Sequence, residues 1–170
     1  AVIENLQAKL DEWKEDFDQL RKDFDESWLV SSTRNSYSRD DLSGIVTQNY
    51  GSRVVTPSQR NVSVIPVYNG TKLAQALQTE EGLDYLQALF DTIDDPEAIT
   101  GTLEHLSGRN ADNIVLWTPD QGSRKRYPER AVWFDGLGGR FHVNRGDRFD
   151  NYFGRSRGVS VSPRSGRAKK

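Results

Sequence analysis

At 170 residues, 35% of them hydrophobic, and with a mean hydropathy of −0.75, the chain suits one domain with an appendage and leaves much polar surface. It has no cysteine, which excludes disulfides, thiolate metal sites and cysteine nucleophiles, and its only histidines, His105 and His142, argue against a histidine-built metal centre. The net charge of −2 conceals a polarity: residues 1–30 hold nine acids against four bases, and residues 121–170 hold thirteen bases against four acids, a distribution that can orient subunits or attract an anionic partner.

No apolar run approaches the roughly 18 residues that a membrane-spanning helix needs. The first residues lack the charged-then-apolar pattern of a secretory leader, and because residue 1 is not Met the localisation is left open. A calcium site made of carboxylates alone also stays open. No cofactor is expected.

Ile3, Leu6, Leu10, Trp13, Phe17, Leu20 and Phe24 recur three and four residues apart, so residues 1–30 are expected to form an amphipathic helix with one apolar seam. That spacing suits a homo-oligomeric coiled coil, although Trp13, Phe17 and Phe24 are bulky for such a seam; packing onto its own domain is the alternative. Residues 31–60 are rich in Ser, Thr, Asn, Arg and Gly and read as a connector with one or two short strands. Asn61 to Tyr68 alternates like a strand, with Pro66 placing it at an edge or an end.

Helical pieces follow. Thr71 to Gln78 carries Leu73, Ala76 and Leu77. Thr79 offers an N-cap with Glu80 and Glu81 in the first turn, and Leu83, Leu86, Leu89, Phe90 and Ile93 supply the buried stripe. Asp95 and Pro96 open a third short helix reaching Leu103 or Leu106. Beyond Asp112 the pattern turns to strand. Ile114 to Trp117 is short and buried, residues 119–129 form a charged loop, and Arg130 to Phe134 is the next strand. Gly136, Gly138 and Gly139 permit a tight turn. In the following strand Phe141 and Val143 are expected to point inward, with Arg140, His142 and Asn144 outward. Gly158 to Val161 would supply a last strand, followed by a basic tail. The fold class is α+β: two or three helices bracketing a small, irregular antiparallel sheet, preceded by the N-terminal helix.

Residues 134–153 combine glycine turns, alternating apolar anchors, and outward aromatic, arginine, aspartate and asparagine side chains. Such residues give large contact energy at small entropic cost and adapt their hydrogen bonding, which suits a paratope. Leu116-Trp117-Thr118-Pro119, Arg130-Ala131-Val132-Trp133, Gly138-Gly139-Arg140-Phe141 and the closing Gly154-Arg155-Ser156-Arg157-Gly158-Val159 resemble the C-terminal module of variable proteins diversified by diversity-generating retroelements. That family includes the phage major tropism determinant, a receptor binder. The similarity covers about residues 110–161.

The resemblance implies a C-type-lectin-like ligand-binding domain over residues 61–170, with a variable region at about 131–159. It implies display on a virion or cell surface and a macromolecular, protein ligand. Its mutagenesis acts at adenines of AAC-like codons, which cannot yield Lys, Glu, Gln, Met or Trp. Residues 134–161 contain none of these five, although the whole chain has 28 of them and composition alone would place about four or five in such a window. Carried over by position, the variable surface comprises Asp135, Leu137, Arg140, His142, Asn144, Arg145, Arg148, Asn151, Tyr152 and Phe153. Trp117, Trp133, Phe134, Phe141, Val143, Phe149 and the closing block are scaffold, and Trp133 is read as a core residue in preference to a contact.

Other functions fit less well. The family's sugar-binding relatives need calcium motifs and disulfides, and its formylglycine-generating relatives need active cysteines; all are missing. The adjacent carboxylates at Glu80-Glu81 and Asp94-Asp95 read as helix starts, and no serine sits in a nucleophile elbow, so no catalytic residue is expected. The alternative from another class is nucleic-acid binding. In it Arg124, Lys125, Arg126, Arg145, Arg148, Arg155, Arg157, Arg164, Arg167, Lys169 and Lys170 would track phosphates, and Tyr152 and Phe153 would stack on bases. The acidic helix opposes it. Arg145-Gly146-Asp147 is too short a match to integrin-binding loops to carry weight.

Overall fold

The apolar seam forms one helix, α1 (Val2–Glu26), in the computed structural model, which describes residues 2–26, 29–51 and 56–144. The second half of α1 is fastened to its own domain. Phe24 is buried, Leu20 packs on the core, and the Phe17 ring meets the His105 ring edge-on at 4.8 Å. Asp25 pairs with Arg109 at 2.5 Å, and Arg21 donates to the His105 carbonyl.

The strands are β1 (Leu29–Tyr37), β2 (Gly44–Gln48), β3 (Ser58–Val62), β4 (Asn69–Lys72), β5 (Ile114–Trp117), β6 (Glu129–Asp135) and β7 (Phe141–Val143). They make one seven-stranded sheet in the order β3-β2-β1-β6-β7-β5-β4. Every pairing is antiparallel except β5 with β7, so the architecture is mixed α+β with a mostly antiparallel sheet. Residues 31–60, expected to be a connector with one or two short strands, supply most of β1, all of β2 and the start of β3. Their hydrophobicity is low because polar residues fill inward positions too: Thr33 and Asn35 are buried beside Tyr37 and Val46. The strand expected over Asn61–Tyr68 stops at Val62, and pairing resumes only at Asn69. Between them the Pro66 carbonyl accepts hydrogen bonds from side chains, not from a neighbouring strand.

The remaining helices are α2 (Leu73–Ala76), α3 (Glu80–Phe90), α4 (Pro96–Ser107) and α5 (Gln121–Arg126). Thr79 accepts from the Gly82 amide and Asp95 from the Ala98 amide, the two caps the sequence announces. A third cap, Asp120 on the Ser123 amide, starts α5 inside what reads as a charged loop. Asp91 closes α3 in the left-handed conformation at φ 52°, so Ile93 leaves the buried stripe and is 90% exposed.

The core lies between one sheet face and helices α1, α3 and α4. It joins Val46, Val62, Val132, Leu116, Phe141 and Val143 to Tyr85, Leu86, Leu89, Ile99 and Leu103. Gln48 donates to the last carbonyls of α3, Ala88 and Leu89, both at 2.9 Å, and so ties β2 to the helix end. No helix among the described residues is long and apolar enough to cross a membrane.

Gly136 is where α1 meets the sheet. Its amide donates to the Phe24 carbonyl at 2.7 Å, and a Cβ there would press on the Phe24 backbone at 3.1 Å and run into the Asp25 carboxylate. Gly136→Ala is expected to cost about 1–3 kcal/mol in urea unfolding, the usual price of overpacking. An unchanged midpoint would mean that the helix end can step aside.

Candidate functional site

The expected recognition segment begins on β6 and β7, near the middle of the sheet. Phe134 pairs with Val143, and Asp135 with His142. β1 borders this pair on one side and β5 on the other, so its backbone is held from both directions. The turn between the strands is a 3-10 turn, Leu137–Gly139, with Gly138 and Gly139 at φ 67° and 76°. Both glycines are exposed, as is Arg140. Asp135 is half-buried. Leu137 lies on the turn by its backbone. Arg145, Arg148, Asn151, Tyr152 and Phe153 fall outside the described residues, as do Phe149, the closing block and the expected strand at 158–161.

Two expected outward positions are corrected. His142 alternates onto the face opposite the core, as its neighbours require, yet it is only 7% exposed because that face is tiled with large side chains. Its ring stacks on Trp117 at 6.2 Å between centroids, and the Trp117 indole donates to His142 Nδ1 at 3.0 Å. A neutral imidazole so bound keeps its hydrogen on Nε2, which lies 4.0 Å from the Asp135 carboxylate. Trp133, half-buried, alternates onto this same face with Asp135.

Asn144 is 5% exposed for a different reason. Strict alternation would turn it away from the core, but its φ of 63° is left-handed, a conformation asparagine tolerates, and the side chain swings back inward. There it enters a polar cluster at the centre of the fold. Asn144 Nδ2 donates to the Tyr85 hydroxyl at 3.1 Å and the Tyr37 hydroxyl at 3.5 Å. Asn35 Nδ2 lies 3.0 Å and 3.3 Å from the same two oxygens. Asn35 Nδ2 donates to both hydroxyls, which closes a square of two amides and two phenols, while Asn35 Oδ1 is buried with no hydrogen-bond partner among the described residues. Burial raises both phenol pKa values, that of Tyr85 well above the ordinary range, so both remain hydrogen donors at neutral pH.

Arg124 stands over the Tyr37 ring at 4.9 Å and is 1% exposed. Its guanidinium donates to the carbonyls of Pro119 and Ile65, each at 2.8 Å, and of Pro66 at 3.1 Å. Desolvation lowers its pKa, but guanidinium stays charged, so this cation is spent inside the fold and cannot track phosphates. Lys125 and Arg126 are exposed, and the Arg126 guanidinium stands over Tyr127 at 5.2 Å.

The sequence did not point to Asn35, Tyr37 or Tyr85, and it pointed to Arg124 only as a phosphate contact. Asn35 sits in a polar run, Arg124 in a basic one, and only the Tyr85 to Leu89 spacing on α3 hinted that a tyrosine faces inward. Comparison of the chain with family models, with curated proteins and with solved structures gives no significant match.

Proposed function

We propose that this is a diversified binding protein of the retroelement variable class, with a C-type-lectin-like domain that presents a stiff surface to a macromolecular, cell-surface protein ligand. The reading is carried by one observation: the β6–β7 pair is hydrogen-bonded into the sheet on both sides while its turn, with Gly138, Gly139 and Arg140, stands exposed. Preorganised groups lose less entropy on binding, and side chains on such a turn can be exchanged without disturbing the core. The described contact positions are Asp135 and Arg140; Arg145, Arg148, Asn151, Tyr152 and Phe153 extend the proposed surface beyond them. Pairing with a second copy through α1 belongs to the same proposal and would add avidity. Loss of Arg124 from the available cations counts against phosphate tracking as the alternative.

The deciding experiment is to sequence the DNA flanking the coding region. A reverse-transcriptase gene and a near-copy of the stretch encoding residues 131–159, differing at adenines, are expected; absence of both overturns the proposal. At the protein level, Arg140→Ala is expected to leave the melting temperature within about 2–4 °C, as exposed substitutions usually do. A larger loss would make Arg140 a structural residue.

A further inference from the structure

We infer that Asn144 is a positioning residue, not a ligand contact: held by its amide and its side chain together, it fixes the end of β7, the point from which the recognition segment continues. The inference rests on the recognition reading for its purpose, but not for its geometry.

Three restraints converge on this residue. Its backbone amide donates to the Trp133 carbonyl at 2.6 Å, extending the β6–β7 ladder by one step. Its left-handed φ ends the strand there, since regular pairing cannot continue through such a residue. Its side-chain amide reaches the hydroxyls of Tyr37 and Tyr85, which come from β1 and α3. The end of β7 is thereby tied to the adjacent β6 and to two elements distant in sequence, β1 and α3. Asn is among the few residues that accept this backbone, and Gly, which accepts it equally well, has no side chain to reach the phenols. Free exchange at 144 would therefore break either the turn or the square.

The test uses Asn144→Gly, which keeps the backbone conformation and deletes the amide. Hydrogen exchange of the full chain is followed at Val143 and Asn144, with Val46 and Leu86 as reporters of global unfolding. A positioning role predicts local opening: exchange at 143 and 144 accelerates by about tenfold more than at the reporters. Equal acceleration everywhere would mean that Asn144 merely adds stability, and it would overturn the inference. A second variant guards against poor folding. In a Tyr37→Phe/Tyr85→Phe background the melting-temperature loss from Asn144→Gly is expected to fall below about half its value in the parent, because coupled residues are not additive. Full additivity would show that the phenols do not hold Asn144, which also overturns it. Neither measurement needs a ligand. Flanking DNA without a template repeat would remove the recognition reading and leave these results standing, and the converse holds equally.

Discussion

Arg124→Ala is expected to destabilise the protein by about 3–5 kcal/mol, lowering the melting temperature by roughly 10 °C. Its side chain bonds to or stacks on three segments at once. Pro119 begins the approach to α5, Ile65 and Pro66 bridge β3 and β4, and Tyr37 ends β1. Removing the guanidinium leaves the Pro119 and Ile65 carbonyls short of a donor; the Pro66 carbonyl keeps the Thr118 hydroxyl at 2.5 Å. It also opens a void at a position only 1% exposed. Part of this loss is offset, because a cation no longer has to be desolvated. Arg124→Met separates the contributions: it retains most of the volume and none of the donors, so a loss near that of the alanine variant would assign the effect to the hydrogen bonds. Urea unfolding of the two variants reads this directly. A change below about 1 kcal/mol in Arg124→Ala would contradict the account, since unpaired buried carbonyls normally cost more.

Stability should also collapse steeply at alkaline pH. Burial raises the phenol pKa values of Tyr37 and Tyr85 and pushes that of Tyr68 up to about 12. In the unfolded chain these groups titrate near pH 10. Below that pH both states carry the protons and the three tyrosines give no pH dependence. Above it the unfolded chain releases protons that the folded one retains, so stability falls by about 1.4 kcal/mol per pH unit for each tyrosine. The loss begins near pH 10 and runs through pH 12. Melting curves between pH 8 and pH 12 test it, with the triple variant Tyr37→Phe/Tyr68→Phe/Tyr85→Phe as the comparison. The variant should start less stable at pH 8 and lose stability more gently above pH 10. Equal slopes would mean that the three phenols ionise freely in the folded protein. Tyrosinate absorbance gives a second reading, with three of the six tyrosines resisting ionisation until the protein unfolds.

Both effects come from a cluster that periodicity cannot reveal. Apolar spacing exposes a core made of leucine, valine and phenylalanine, and α1, α3 and α4 were legible for that reason. It gives no weight to Asn35, Arg124 or Asn144, each of which is buried against at least one partner 50 or more positions away. The candidate surface divides along the same line. Arg140 stands exposed beside its glycines as alternation implied, and Phe141 and Val143 point inward. His142 kept its expected face and lost its exposure to a tryptophan from β5. Asn144 lost its expected face to a single backbone angle.

By itself the amino-acid sequence determined the local elements: the seam of α1, the caps at Thr79 and Asp95, the strands β5 to β7, and the glycine turn between the last two. These depend on residues within a few positions of one another. Only the tertiary structure decided which polar groups lie inside, that β1, β2 and β3 pair into the sheet, and that β5 runs parallel to β7. The physical reason is that a polar side chain is buried only where distant groups arrive to satisfy it, and no local pattern carries that arrival.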